Sequence, residues 1–513
     1  MLPALTRRVV LAYRSSPSCI SARSRVPTLF YSTEQPQENK RPRIVIGEGE
    51  DWKPSFFQEF IEPSWKASRG RYISLSKRVG KQIAVAVVVF GTGYFGFQAV
   101  SHLWVEHICL KPGPADPQVA HWQWDAEFDD WTGGTDGTDP SLGWKARVLL
   151  RRAWMSTNWT NQQAVVTQGD NGVIAVHADL VRAEEALREV LSLARQQISD
   201  STSTAEPNLA AILLRHASVL ERLADKQSLK RARREYTDVV EMYAATRPLD
   251  AAAASLKLGD ICSRLKDYDA AHRSWSYALD LASTLPQSPR GQRIAASARA
   301  FSAYQYAATS RLTEARKTQE AALDWIRSIL PSGNVSTSSL SPSESLHHLT
   351  LLQRASMISS NLAEVIYAQS ASGKSWGKRK AVEAAAQELQ AAAANSERIT
   401  QAITGLPDGK VGSISKDYTT SPYLLRPAAK LLWDARRSAS SAYSLLGTLT
   451  DVAEPGNAKK ACQYYSEALQ WASDGNGNPG IHTLSSEWET LNWLHKQAKS
   501  RRAEERRQAA GKA

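Results

Sequence analysis

SLKLGDICSRLKDYDAAHRSWSYA, residues 255–278, is the stretch on which the fold turns. Leu258 and Gly259 belong to a first helical run; Tyr268 follows, and then Ala271, Trp275 and Ala278 mark a second run. A Leu-Gly pair lets a second helix lie close on the first. Small alanines suit the crossing, and Trp275 fills the gap between the helices. Pro286 ends the unit.

The pattern recurs along the chain. Ala303, Tyr306, Ala315 and Ala322 keep the internal spacing, with Gln319 in the aromatic place. Tyr443, Leu446, Gly447, Ala461, Tyr465 and Ala468 keep it again, with two extra residues in the turn. Ala232 and Tyr236 form a looser copy after a helix expected at about 208–225. These residues resemble the tetratricopeptide repeat (TPR), whose pattern is W-x2-L-G-x2-Y, A-x3-F and P. Ala232 to Ala271 is 39 residues and Ala271 to Ala315 is 44. Both exceed the usual length of about 34, so long loops are expected. Several copies in a helix-rich chain predict an all-α, TPR-like α-solenoid.

Composition agrees. Hydrophobic residues make up 42% of the 513, enough for a sizeable core. Alanine runs at 251–254, 384–386 and 391–394 favour helix. No long apolar–polar alternation predicts a large sheet. The four cysteines have no metal or disulfide spacing, and Cys262 and Cys462 read as buried small residues.

The formal charge of +12 is unevenly placed. Residues 1–31 carry Arg7, Arg8, Arg14, Arg23 and Arg25 and no acid, the composition of a mitochondrial transit peptide. No basic run interleaved with aromatics points to nucleic acid. Residues 82–105, QIAVAVVVFGTGYFGFQAVSHLWV, are uncharged. As a helix they would span roughly 36 Å, enough for a hydrocarbon core of about 30 Å. Ala84, Val88, Thr92, Gly96 and Ala99 form a small-residue stripe at which another membrane helix could approach. Lys77, Arg78 and Lys81 precede the span, while Lys111 is the one base in 106–140. The positive-inside rule then puts the N-terminal side in the matrix and the rest in the intermembrane space.

The domain reading follows: transit peptide 1–31, matrix-side segment 32–81, single transmembrane helix 82–105, Trp/Asp-rich linker 106–143, repeat domain 144–473, and a capping helix with basic tail over 481–513. Two nucleotide-like motifs fail in context. Gly91, Gly93 and Gly96 match G-x-G-x-x-G inside the membrane span, with no βαβ pattern after it. Residues 368–375, ending Gly373-Lys374-Ser375, nearly match a P-loop, but a helical segment precedes them. No catalytic motif, metal site or cofactor site is expected, nor nucleotide binding. In a solenoid the first helix of each pair lines the groove. That register offers Lys257, Asp260 and Arg264 on one helix and Phe301 and Tyr304 on the next as a protein-binding surface.

The layout, with the Trp-rich segment 121–154, resembles the fungal TPR adaptor subunit of the mitochondrial i-AAA protease supercomplex. The resemblance implies an inner-membrane, non-enzymatic adaptor that binds unfolded client proteins and assists their delivery to that protease. A respiratory-complex assembly factor shares the same architecture. An import receptor would need Lys and Asn where this chain has Leu256 and Asp260.

Overall fold

The computed structural model describes residue 81 and residues 96–513, apart from 112–115, 128–130, 132–136, 160–163, 170–171, 201–207, 331–339, 371–374, 408–412, 455–456, 474–482 and 511–513. The chain divides into two units, Arg23–Val105 and Glu106–Ala513 with Met1–Ala22.

In the first unit, residues 96–104 are helical. Among the described residues no helix is long and apolar enough to cross a membrane. Residues 82–95, most of the expected span, lie outside the described residues, with Ala84, Val88 and Thr92 of its stripe. So do the transit peptide and residues 32–80. Gly96 and Ala99 are helical and exposed.

The second unit is helical, with each helix packed on the next in chain order, consistent with a solenoid. Its main helices are α1 (Trp144–Asn158), α2 (Ala178–Ser199), α3 (Leu209–Leu223), α4 (Lys226–Tyr243), α5 (Pro248–Arg264), α6 (Tyr268–Ser283), α7 (Pro289–Ala308) and α8 (Leu312–Ile329). They continue as α9 (Pro342–Ser370), α10 (Ser375–Thr404), α11 (Pro422–Ala453), α12 (Ala458–Ala472) and α13 (Ser485–Ala510). One departure from helix occurs among the described residues. An antiparallel hairpin, β1 (Ala164–Gly169) with β2 (Gly172–His177), joins α1 to α2. The near-P-loop begins within α9 and ends at the start of α10, so helix precedes it.

The helical pairs share local causes. Ala224, Lys266 and Ser310 sit at the turns α3/α4, α5/α6 and α7/α8 with φ of 62°, 67° and 63°. A left-handed residue ends each first helix and lets the chain reverse. Asp225 then caps α4, accepting from Gln227 N and Ser228 N, and Asp267 caps α6, accepting from Ala270 N.

Packing follows the repeat residues. A Cβ on Gly259 would lie 2.7 Å from Cε2 of Trp275, and one on Gly447 would lie 2.7 Å from Cε1 of Tyr465. Each glycine is the space its aromatic occupies. Trp275 also donates Nε1–H to Leu256 O at 3.3 Å. Ala271, Ala278, Ala303, Ala315, Ala322, Ala461 and Ala468 are buried at the crossings. Leu446 is buried as well, while Leu258 is half-buried and packs on the Trp275 cluster. Tyr268 is exposed and Tyr306 half-buried, its hydroxyl 3.2 Å from His272 Nε2. Cys262 and Cys462 are buried.

Two pairs fall outside the repeat pattern. In α9/α10, Ser356 donates to Ala392 O and meets Ser396, so small polar groups make the crossing. In α1/α2, the hairpin interrupts the repeat. At the far end α13 covers α12, burying Leu491 and Ala498 against it. The expected basic tail is helical up to Ala510.

Candidate functional site

The groove residues named from the sequence sit on α5 and α7. Lys257 is exposed and Arg264 half-buried, and both turn to α3. Lys257 Nζ lies 3.3 Å from Glu221 Oε1, and Arg264 Nη2 donates to Glu221 O at 3.3 Å. Glu221 also accepts from the Tyr236 hydroxyl at 3.3 Å, so one buried carboxylate ties α3, α4 and α5 together. Asp260 is half-buried close to that hydroxyl, whose pKa is raised by burial first and by Glu221 and Asp260 after it.

Phe301 and Tyr304 are half-buried on α7. Phe301 lies 5.9 Å from the Trp275 ring centroid on one side and under the Arg354 guanidinium on the other. It therefore bridges the packing core to α9, besides its place in the groove register.

The structure adds residues that the sequence pattern does not single out. Arg354 on α9 and Lys430 and Asp434 on α11 lie within electrostatic reach of one another, and Lys257 lies within reach of Lys430. Lys430 is open to solvent, yet protein walls surround it. Its pKa is lowered chiefly by desolvation, with Lys257 and Arg354 repelling it and Asp434 and Glu127 offsetting them. Arg354 is desolvated in the same way and compensated by Asp434 and Glu127. Water-reached but walled charges are the electrostatic mark of a concave surface.

Glu127 belongs to the segment read as a linker, and that segment crosses this surface as a strap. Val119 is buried among Leu346, Leu349, Ile403 and Leu424. Trp122 packs against the His347 ring at 5.0 Å, and Trp124 donates Nε1–H to Ser343 O at 2.9 Å. Arg293 of α7 holds the strap's centre. Its guanidinium lies 3.9 Å over Trp124, pairs with Glu127 at 2.7 Å, and donates to Trp122 O and Gln123 O. Arg293 Nη1 also faces His347 Nδ1 at 3.1 Å. Since Arg only donates, Nδ1 accepts and Nε2–H faces Gln292 Oε1. Burial and the Arg293 charge push His347 down to about 3, so it stays neutral. Further along, Trp131 lies beneath Arg215 of α3.

The strap's two flanks are pinned as well. Glu106 is buried and accepts from Arg147 at 2.6 Å, Arg151 at 2.8 Å and the Thr138 hydroxyl at 2.9 Å. Desolvation raises the pKa of Glu106, but the two arginines and Thr138 outweigh it and hold it below the usual carboxylate value. Asp139 accepts from Asn208 N, at the start of α3, at 3.4 Å. The sequence signal for the strap is its three tryptophans, which a flexible tether has no use for.

No protein-family model matches the chain, and no curated protein matches it.

Proposed function

We propose that this protein is a non-enzymatic adaptor of mitochondrial protein quality control. A single helix over 82–105 holds it in the inner membrane with its N-terminal side in the matrix. Its TPR-like solenoid works in the intermembrane space, where it binds unfolded client proteins and helps deliver them to the i-AAA protease.

The observation that carries this reading is a walled surface drawn from four helices, where Lys257 and Arg354 lie within electrostatic reach of Lys430 and Arg354 lies over Phe301, with Tyr304 half-buried one turn along α7. Aromatics supply contact area at low entropic cost, and unlike charges select among extended chains. The membrane reading is supported by Phe97, Val100, Leu103 and Trp104, all exposed on the helical stretch 96–104.

Affinity purification of the full chain from detergent-solubilised mitochondria should recover an AAA protease. Recovery of a respiratory complex in its place would reject the reading in favour of an assembly factor. A C-terminal tag should resist added protease until the outer membrane is ruptured. Tyr304→Ala with Lys430→Ala should weaken client capture several-fold while leaving protease association intact; unchanged capture would move client binding off this surface.

A further inference from the structure

A second site lies on the opposite side of α7. Arg299 is two residues from Phe301, which places it about 200° around the helix. There α6, α7 and α8 enclose an open cleft of about 430 Å³. Leu279, Ala295, Trp325 and Ile329 make its apolar floor, and Ser283 and Gln287 stand on its rim.

Arg299 is the unusual feature. Its guanidinium carbon lies 4.2 Å from the centroid of the Trp325 ring. It is half-buried, and among the described residues it has no carboxylate partner. Burial lowers its pKa, and no acid among the described residues offsets that. The two other arginines of α7 near this end are paired: Arg290 with Asp250 at 2.7 Å, and Arg293 with Glu127 at 2.7 Å. Residues 331–339, which follow α8, contain no Asp or Glu. A desolvated cation held by an aromatic face, beside an open cleft with an apolar floor and a polar rim, is a site for an anion with an apolar body.

We propose that this cleft docks an acidic, apolar segment of a partner protein, its carboxylate on Arg299 and its large side chains on Trp325 and Leu279. Gly291 to Arg299 spans about 12 Å of helix, room for about three to four extended residues. The cleft is open along its length, and the Ser283 and Gln287 rim can meet backbone amides. A bare acyl chain would stay wet there and leave that rim unused, so a peptide fits better than a fatty acid. The site is separate from the walled surface, so either can fail without the other.

The test uses the full-length protein and two pools of acetylated octapeptides. Both pools vary Leu, Phe and Val around a fixed centre, which is Glu in one and Gln in the other. The Glu pool should be retained at least about tenfold better than the Gln pool. Arg299→Met, which keeps the apolar stem, should abolish that preference with an unchanged circular dichroism spectrum. Trp325→Leu should weaken retention as a second, charge-neutral check. Equal retention of the two pools, or an undiminished preference in folded Arg299→Met, would overturn the proposal. So would dodecanoate binding that depends on Arg299 when neither peptide pool is retained.

Discussion

At the residue scale, the repeat rests on a few size-matched pairs. Gly259 makes room for Trp275 and Gly447 for Tyr465. Truncating a buried aromatic leaves a cavity, so Trp275→Ala should cost about 3–5 kcal/mol in a urea or thermal melt. An unchanged melt would mean that α5 and α6 do not depend on this contact. Gln319 occupies the matching position of the next pair and is fully buried, with neither amide atom hydrogen-bonded. An unsatisfied buried polar group costs about 1–3 kcal/mol, so Gln319→Leu should raise the melting temperature. A lowered one would show that the amide has a partner in solution.

At the element scale, buried charges fasten helices that the apolar pattern merely brings near. His216 of α3 lies 2.8 Å from Glu235 of α4 and 3.5 Å from Glu184 of α2. Burial alone would lower its pKa, but the two carboxylates outweigh burial and raise it above 6.5. The folded state therefore holds this proton more tightly than the unfolded chain. The resulting stabilisation is complete below the unfolded value and is lost as pH rises through the raised folded value. The melting-temperature gap between wild type and His216→Gln should shrink as pH rises from roughly 5 to 9. A gap that widens over that range would reverse the sign and reject the assignment.

At the scale of the whole molecule, the strap joins helices far apart in sequence. Trp124 is almost fully buried between Arg293 and Ser343, and Trp131 reaches α3. Trp124→Ala should lower the melting temperature and speed proteolytic cleavage within 106–143, read by mass spectrometry of the fragments. Cleavage at the wild-type rate would mean that the strap is held by its other anchors, Glu106 with its arginines and Val119 in its apolar cluster.

The sequence by itself determined the helical class and four of the pairs, because small residues at fixed spacing, with an aromatic between them in three of the four, encode a crossing directly. Gly259 with Trp275 and Gly447 with Tyr465 are legible from spacing alone. The pair α9/α10 was not, since Ser356 and Ser396 make its crossing by hydrogen bonds that leave no periodic mark. The hairpin at 164–177 is too short to show in a search for sheet-length alternation. Phe301 and Tyr304 were placed on α7 by register, but their neighbours were not. Only the tertiary structure brought Arg354 and Lys430 to Lys257 and laid Trp122 and Trp124 against Arg293. Those contacts join residues up to about 170 positions apart, and such separations are set by how successive helices stack, not by any local run of residues.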